Sequence, residues 1–138
     1  MNRDQLEENK ELALNLSKAI MAGEWDRVES LISNDFIYEA DGRPAIGKPE
    51  YIGFMKNVLC KAFVDMNMNF LHVVAEGSFV SVNYTNEMTH VGEFFGIPAT
   101  NKRVVATGQF IREVKKGEVI AEWQTTNMAG LMQQLTGK

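Results

Sequence analysis

Cysteine is almost absent from this chain. Cys60 stands alone, so no disulfide can form within it, and that usage fits a reducing, cytoplasmic setting. Histidine is nearly as scarce. His72 and His90 are the two present, far apart and without a cysteine partner, which makes a poor set of nitrogen and sulfur ligands for a metal; we expect none. Basic charge is short as well. Fourteen Lys and Arg against 18 Asp and Glu leave a net charge of −4, and the densest basic cluster is Lys115–Lys116. That excludes the counterion-release binding on which nucleic-acid partners depend. No run approaches the ~18 apolar residues of a membrane span. The opening MNRDQLEENKEL is polar and lacks the apolar core of a secretory signal.

What is present suits a packed core. The chain is 45% hydrophobic and 23% charged over 138 residues, without an internal repeat or a low-complexity linker. Size scaling for such a chain buries roughly 68% of the unfolded surface. We expect one domain over residues 1–138.

The period of the apolar residues changes along the chain. Leu6, Leu12, Ala13, Leu16 and Ile20 form a helical stripe over residues 3–22, with Asn2 and Gln5 as a capping pair and Gly23 as a stop. A short second helix carries Val28, Leu31 and Ile32, and a short strand runs from Phe36 to Ala40. Pro49 suits the first turn of a third helix, whose stripe is Tyr51, Phe54, Met55, Val58, Leu59 and Ala62. After residue 63 the period becomes two. Strands are expected at Asp65–Ala75, Ser78–Val91, Val104–Val114 and Glu118–Thr126, then a last helix with Met128, Leu131, Met132 and Leu135. Helices first and long antiparallel strands later indicate an α+β fold: a curved antiparallel sheet wrapped around N-terminal helices, leaving a cone-shaped cavity.

Several stretches then carry a likeness. Phe63–Asp65, VVAEGSFVSV (73–82), THVGEFFGIPATNKRV (89–104), FIREVKKGEVIAEW (110–123) and NMAGLMQQL (127–135) together resemble the SnoaL-like polyketide cyclase family. That family shares a fold with nuclear transport factor two, ketosteroid isomerase and scytalone dehydratase. The resemblance implies a cystatin-like α+β barrel, a homodimer through the sheet, an apolar pocket and no cofactor. It also implies intramolecular aldol chemistry for some members. The acid expected four residues after the tryptophan is Asn127 here. The strand before carries Gln109 where an Asp or His is usual. The family's Glu-His-Trp reads Ala121–Glu122–Trp123, and a loop glycine is Asn101, which tolerates left-handed backbone.

Aldol cyclisation needs a base beside a carbonyl, and an amide cannot serve. Asn127 and Gln109 are left to orient or stabilise a carbonyl oxygen, Asn127 alternatively capping the last helix. His90, on the face of Tyr84, Asn86 and Met88, is the remaining titratable candidate for acid/base work; the plainer role for it is a strand-end residue bonding the next loop. His72 shares a face with Met66, Met68, Phe70 and Val74 and is either a pocket group or a satisfied core histidine. Trp123 shares parity with Thr125 and Asn127 and is expected to face the cavity, as are Tyr38 and Tyr84. Eight methionines suit an adaptable pocket or ordinary core filling. The sequence thus supports a small-molecule-binding cone, with a cyclase- or isomerase-type activity on an apolar carbonyl compound. The alternatives are a binding module without catalysis and an accessory dimer with a collapsed cavity.

Overall fold

The computed structural model describes residues 2–137. Helix α1 (Arg3–Ala22) begins where the Asn2 side chain accepts the Gln5 amide at 2.8 Å, and ends at Gly23, held left-handed at φ 69°. It buries Ala13, Leu16, Ala19 and Ile20. Helix α2 (Trp25–Leu31) leads directly into β1 (Ile32–Ala40), so Ile32 belongs to a strand and not to the helix expected for it. Lys48 explains the abrupt turn. Its buried ammonium donates to the carbonyls of Glu29 at 2.9 Å and Ile32 at 2.8 Å, satisfying the helix end as the strand starts.

A short β2 (Ile46–Gly47) pairs with β1 and feeds α3 (Lys48–Phe54), where Pro49 occupies the first turn and Glu50 accepts the Gly47 amide at 2.8 Å. The expected single helix is interrupted: a π-helical segment, Met55–Leu59, precedes α4 (Cys60–Ala62). Then come β3 (Phe63–Glu76), β4 (Phe79–His90), β5 (Arg103–Lys115), β6 (Glu118–Thr126) and α5 (Met128–Thr136).

The six strands form one curved sheet in the order β2-β1-β6-β5-β4-β3. Its edges, β2 and β3, do not meet, so the barrel implied by the family likeness is open. The sheet is not purely antiparallel either, because β1 runs parallel to β6. Helices α1 and α3 lie against its concave face, and the core sits between them: Leu16, Ile20, Val28, Phe36 and Tyr51 in one cluster, Val80, Val82, Tyr84 and Phe110 in another.

Three bulges decide which side chains enter that concavity. The first, between Val64 and Asn67 on β3, gives Met66 and Met68 the inner face that Phe63 holds before it. On β3 the pairing jumps from Phe70↔Tyr84 to His72↔Asn83. Leu71 is the extra residue, and every side chain after it changes face. On β6 the pairing jumps from Val114↔Val119 to Glu113↔Ala121, with Ile120 as the extra residue. Val119 therefore points inward, and beyond the bulge Glu122, Gln124 and Thr126 do so instead of Trp123 and Thr125.

At Gly108, on the inner face of β5, the backbone lies close against a side chain. A Cβ built there would lie 2.7 Å from both the Tyr84 hydroxyl and the Thr125 carbonyl. Gly108→Ala is expected to lower stability by about 1–3 kcal/mol through overpacking, read as a lower urea midpoint at unchanged slope. An unchanged midpoint would contradict the close approach.

Candidate functional site

The concave face holds a cavity of about 130 Å³. Its wall is soft and apolar. Met21, Met55, Met66, Met68, Met88 and Met128 line it, six of the chain's eight methionines, with Phe54, Phe94, Phe95 and Phe110. Thioethers fill irregular space and adapt to what enters.

Its floor is polar and organised around one ion pair. Arg112 on β5 donates from Nε to Glu122 Oε1 on β6 at 2.6 Å, and the two side chains are almost wholly buried, at 4% and 2% exposure. A terminal guanidinium nitrogen donates to the Ala13 carbonyl at 2.5 Å and to the Ser17 hydroxyl at 2.8 Å, both on α1. Tyr51 on α3 donates to the same Glu122 Oε1 at 3.2 Å. Burial pulls the guanidinium down, but Glu122 and Tyr51 more than offset it and hold Arg112 above its ordinary range.

Three phenols surround this pair. Burial, reinforced by the charge of Glu122, pushes the Tyr38 phenol far above the usual tyrosine range. The same two causes raise Tyr51. Burial also raises Tyr84, against the opposing hydrogen bond from Gln124, whose Nε2 donates to the Tyr84 oxygen at 2.5 Å and to Thr126 Oγ1 at 3.1 Å. Because Tyr84 accepts from Gln124, its own proton is left for another acceptor. The floor thus presents neutral phenol donors beside a countercharged carboxylate. Among the described residues no group of three or more His, Cys, Asp or Glu could hold a metal ion, and no helix is long and apolar enough to cross a membrane.

Of the residues singled out from sequence, Tyr38 and Tyr84 line this cavity. The others do not. His72, turned outward by the Leu71 bulge, is exposed and pairs its Nδ1 with Asn83 Oδ1 at 2.9 Å. Trp123, outward beyond the Ile120 bulge, is 39% exposed and lies 6.3 Å from the Phe79 ring. Gln109 faces the same convex side, opposite Thr125, and lines a shallow depression there with Asn127, Thr107 and Thr125. Asn127 caps α5, its Oδ1 accepting the Gly130 amide at 3.0 Å. His90 is inward but sealed. It is fully buried beside Phe63, with ring centroids 5.2 Å apart. Its Nδ1 accepts the Thr100 amide at 3.2 Å and contacts Thr100 Oγ1 at 2.9 Å, which fastens the loop after β4. Sequence reasoning passed over Arg112, Glu122 and Tyr51. The available signal was an opposite charge pair on the two strands joined by the tight Lys116–Gly117 turn.

A model of the family described as SnoaL-like polyketide cyclase matches residues 10–135. No curated protein matches the chain significantly. Among solved structures, AclR from Streptomyces galilaeus, whose name carries a proposed hydroxylase activity, superposes with a TM-score of 0.86 at 24% identity over 96% of this chain and 98% of that one. A proposed SnoaL-like polyketide cyclase from Jannaschia sp. CCS1 gives a TM-score of 0.88 at 20% identity over 100% and 99%. An LEH-like epoxide hydrolase from M. tuberculosis gives 0.76 at 15% identity over 96% and 92%. At these identities the likeness establishes the fold alone.

The chain's three tyrosines are Tyr38, Tyr51 and Tyr84, and all are raised in the folded state. Their contribution to stability is therefore complete below the unfolded value of about 10. It is lost as pH climbs past that value, because the unfolded chain ionises first. In an alkaline titration the phenolate absorbance is expected to stay absent near pH ~10 and to rise together with unfolding. Ordinary titration of all three in a folded chain would contradict the buried floor.

Proposed function

The chain belongs to the SnoaL-like polyketide cyclase family, whose model spans residues 10–135, and we propose that its cone binds a small apolar carbonyl compound and moves a proton at the carbon beside the carbonyl. The observation that carries this reading is the floor: a carboxylate fixed by Arg112 and Tyr51 among neutral phenols, at the base of an apolar cavity. Such a cavity excludes water and strengthens the few polar contacts inside it.

In this reading Glu122 is the base. Oε1 is held by Arg112 and Tyr51, and Oε2 is the oxygen on offer to the ligand. The α-carbon's proton passes to Oε2, the C–H electrons become the C=C bond, and the carbonyl electrons move onto oxygen. Tyr84 and Tyr38, kept neutral by burial, donate to that oxygen as charge develops. In a ketone with a β,γ double bond, the carbonyl re-forms, the new C=C moves to lie between the α- and β-carbons, and the electrons of the old double bond take the proton from Glu122 at the γ-carbon, which is an isomerisation. Alternatively the enolate attacks a second carbonyl of the same molecule, forming the C–C bond, and the resulting alkoxide takes the proton. The acid that the family likeness puts after the tryptophan is thus replaced by one just before it, on the opposite face of the sheet.

A non-catalytic reading has one observation on its side, namely that Glu122 Oε1 is already engaged twice. The two separate in one experiment. With acetophenone in D₂O, wild type is expected to accelerate exchange of the α-protons, Glu122→Gln to lose about 10²–10⁴ of that rate, and Tyr84→Phe about 10²–10³. Ligand-induced thermal stabilisation without accelerated exchange would establish the binding module. Equal rates for wild type and Glu122→Gln would remove the carboxylate from the chemistry.

We also infer that two copies pair through the convex face of the sheet. Ile37, Phe79, Ile111 and Trp123 are 48%, 45%, 42% and 39% exposed there, with Ile111 directly opposite Trp123. That much open apolar surface on neighbouring strands suits an interface better than solvent. Sedimentation is expected to show a dimer for wild type and a folded monomer for Ile111→Glu. A monomeric wild type would count against this pairing.

A further inference from the structure

Among the described residues two buried side-chain atoms lack a hydrogen-bond partner, His90 Nε2 and Asn86 Oδ1. His90 lies outside the cone, but Asn86 is part of its wall. It sits on β4 between Tyr84 and Met88 on the inner face, opposite Met68 and Ala106, and is 6% exposed. Its Nδ2 has only the sulfur of Met66, at 3.6 Å, and a thioether is a weak acceptor. Leucine would fill the same space among these methionines without leaving an amide oxygen unpaired, and an unpaired buried oxygen is destabilising. Nothing in the packing explains the asparagine.

We propose that Asn86 is a specificity-determining residue whose amide takes a hydroxyl of the ligand. The hydroxyl donates to Oδ1 and accepts from Nδ2, which completes both ends of the amide. Turning the amide edge toward the cavity needs rotation about Cβ–Cγ, a soft torsion for asparagine, with the flexible Met66 giving way. This rests on the cone being the ligand site, as proposed above, and it narrows the ligand class. Asn86 stands two residues, about 7 Å of strand, from Tyr84, so a ligand that meets both side chains carries its hydroxyl and its carbonyl at separate ends. A single para-substituted ring has that form. The cavity of about 130 Å³ matches one ring, since an apolar cavity of about 150 Å³ holds benzene. The ligand class is therefore an aryl or similar cyclic ketone with a hydroxyl at the end remote from its carbonyl.

The test uses 4-hydroxyacetophenone and 4-methylacetophenone, titrated by NMR into wild type and Asn86→Leu. Wild type is expected to bind the hydroxyl compound roughly tenfold more tightly than its methyl analogue, and Asn86→Leu to lose that preference while resisting urea at least as well as wild type. Glu122→Gln, in contrast, keeps the preference while losing exchange. Equal binding of both compounds by wild type, a preference that persists in Asn86→Leu, or a loss of stability in Asn86→Leu would each overturn the assignment and leave the cone as a ligand site. Failure of wild type to bind either compound would strike the cone reading itself, and the role of Asn86 with it.

Discussion

One buried ion pair fixes the geometry on which everything else depends. Arg112 and Glu122 stand on neighbouring strands, yet their contacts reach Ala13 and Ser17 on α1 and Tyr51 on α3. Four elements are therefore tied to one pair of charges. Taking both charges out of water costs several kcal/mol each, and their attraction recovers that only when every remaining hydrogen bond is made. The helices must accordingly sit where those bonds are satisfied. A pair of well-packed apolar residues could stabilise such a layer at least as well, so stability alone does not account for the charges. What they provide is spacing, because α1 and α3 are held at the reach of two polar side chains.

That spacing creates a space with unusual chemistry. Around the pair stand phenols that burial keeps protonated, and beyond them the wall is methionine and phenylalanine. The stiff polar floor and the compliant thioether wall have different roles. The floor holds donors and a carboxylate in fixed positions, and the wall adapts to the outline of what enters. The π-helical turn at Met55–Leu59 contributes two of the wall residues, and π segments of this kind recur at functional sites.

Much of the fold was legible in the sequence because it rests on local periodicity and on caps. The stripe of α1, its Asn2 cap and Gly23 stop, the long strands and the Asn127 cap of α5 are all present. Asn101 does adopt the left-handed backbone at φ 60°. Which face each strand buries was less legible, and single residues explain why. Leu71 and Ile120 each add one residue to one strand of a pair, and each reverses the parity of the residues after it. That reversal put His72 and Trp123 on the outside, whereas Gln109 is outside by the plain alternation of β5, whose Phe110 and Arg112 face in. His90 kept its expected face, but Phe63 and the loop it anchors close it off from the cavity. Arg112 and Glu122 escaped notice because charged residues on a strand normally face water; only three-dimensional pairing makes their burial possible.

The Ile120 bulge also separates the positions on either side of Trp123. A carboxylate after the tryptophan would belong to the junction of β6 and α5, where Asn127 now caps the helix through Gly130. A carboxylate just before the tryptophan, beyond the Ile120 bulge, is directed to the cavity floor. There it cannot remain uncompensated, because a lone buried charge is far too costly, and Arg112 meets it at 2.6 Å. The buried acid thus requires the arginine, the arginine requires acceptors on α1, and Ala13 and Ser17 supply them. Asn127 ends the sheet as a helix cap, and the charge beside Trp123 stands on the cavity floor as a matched pair.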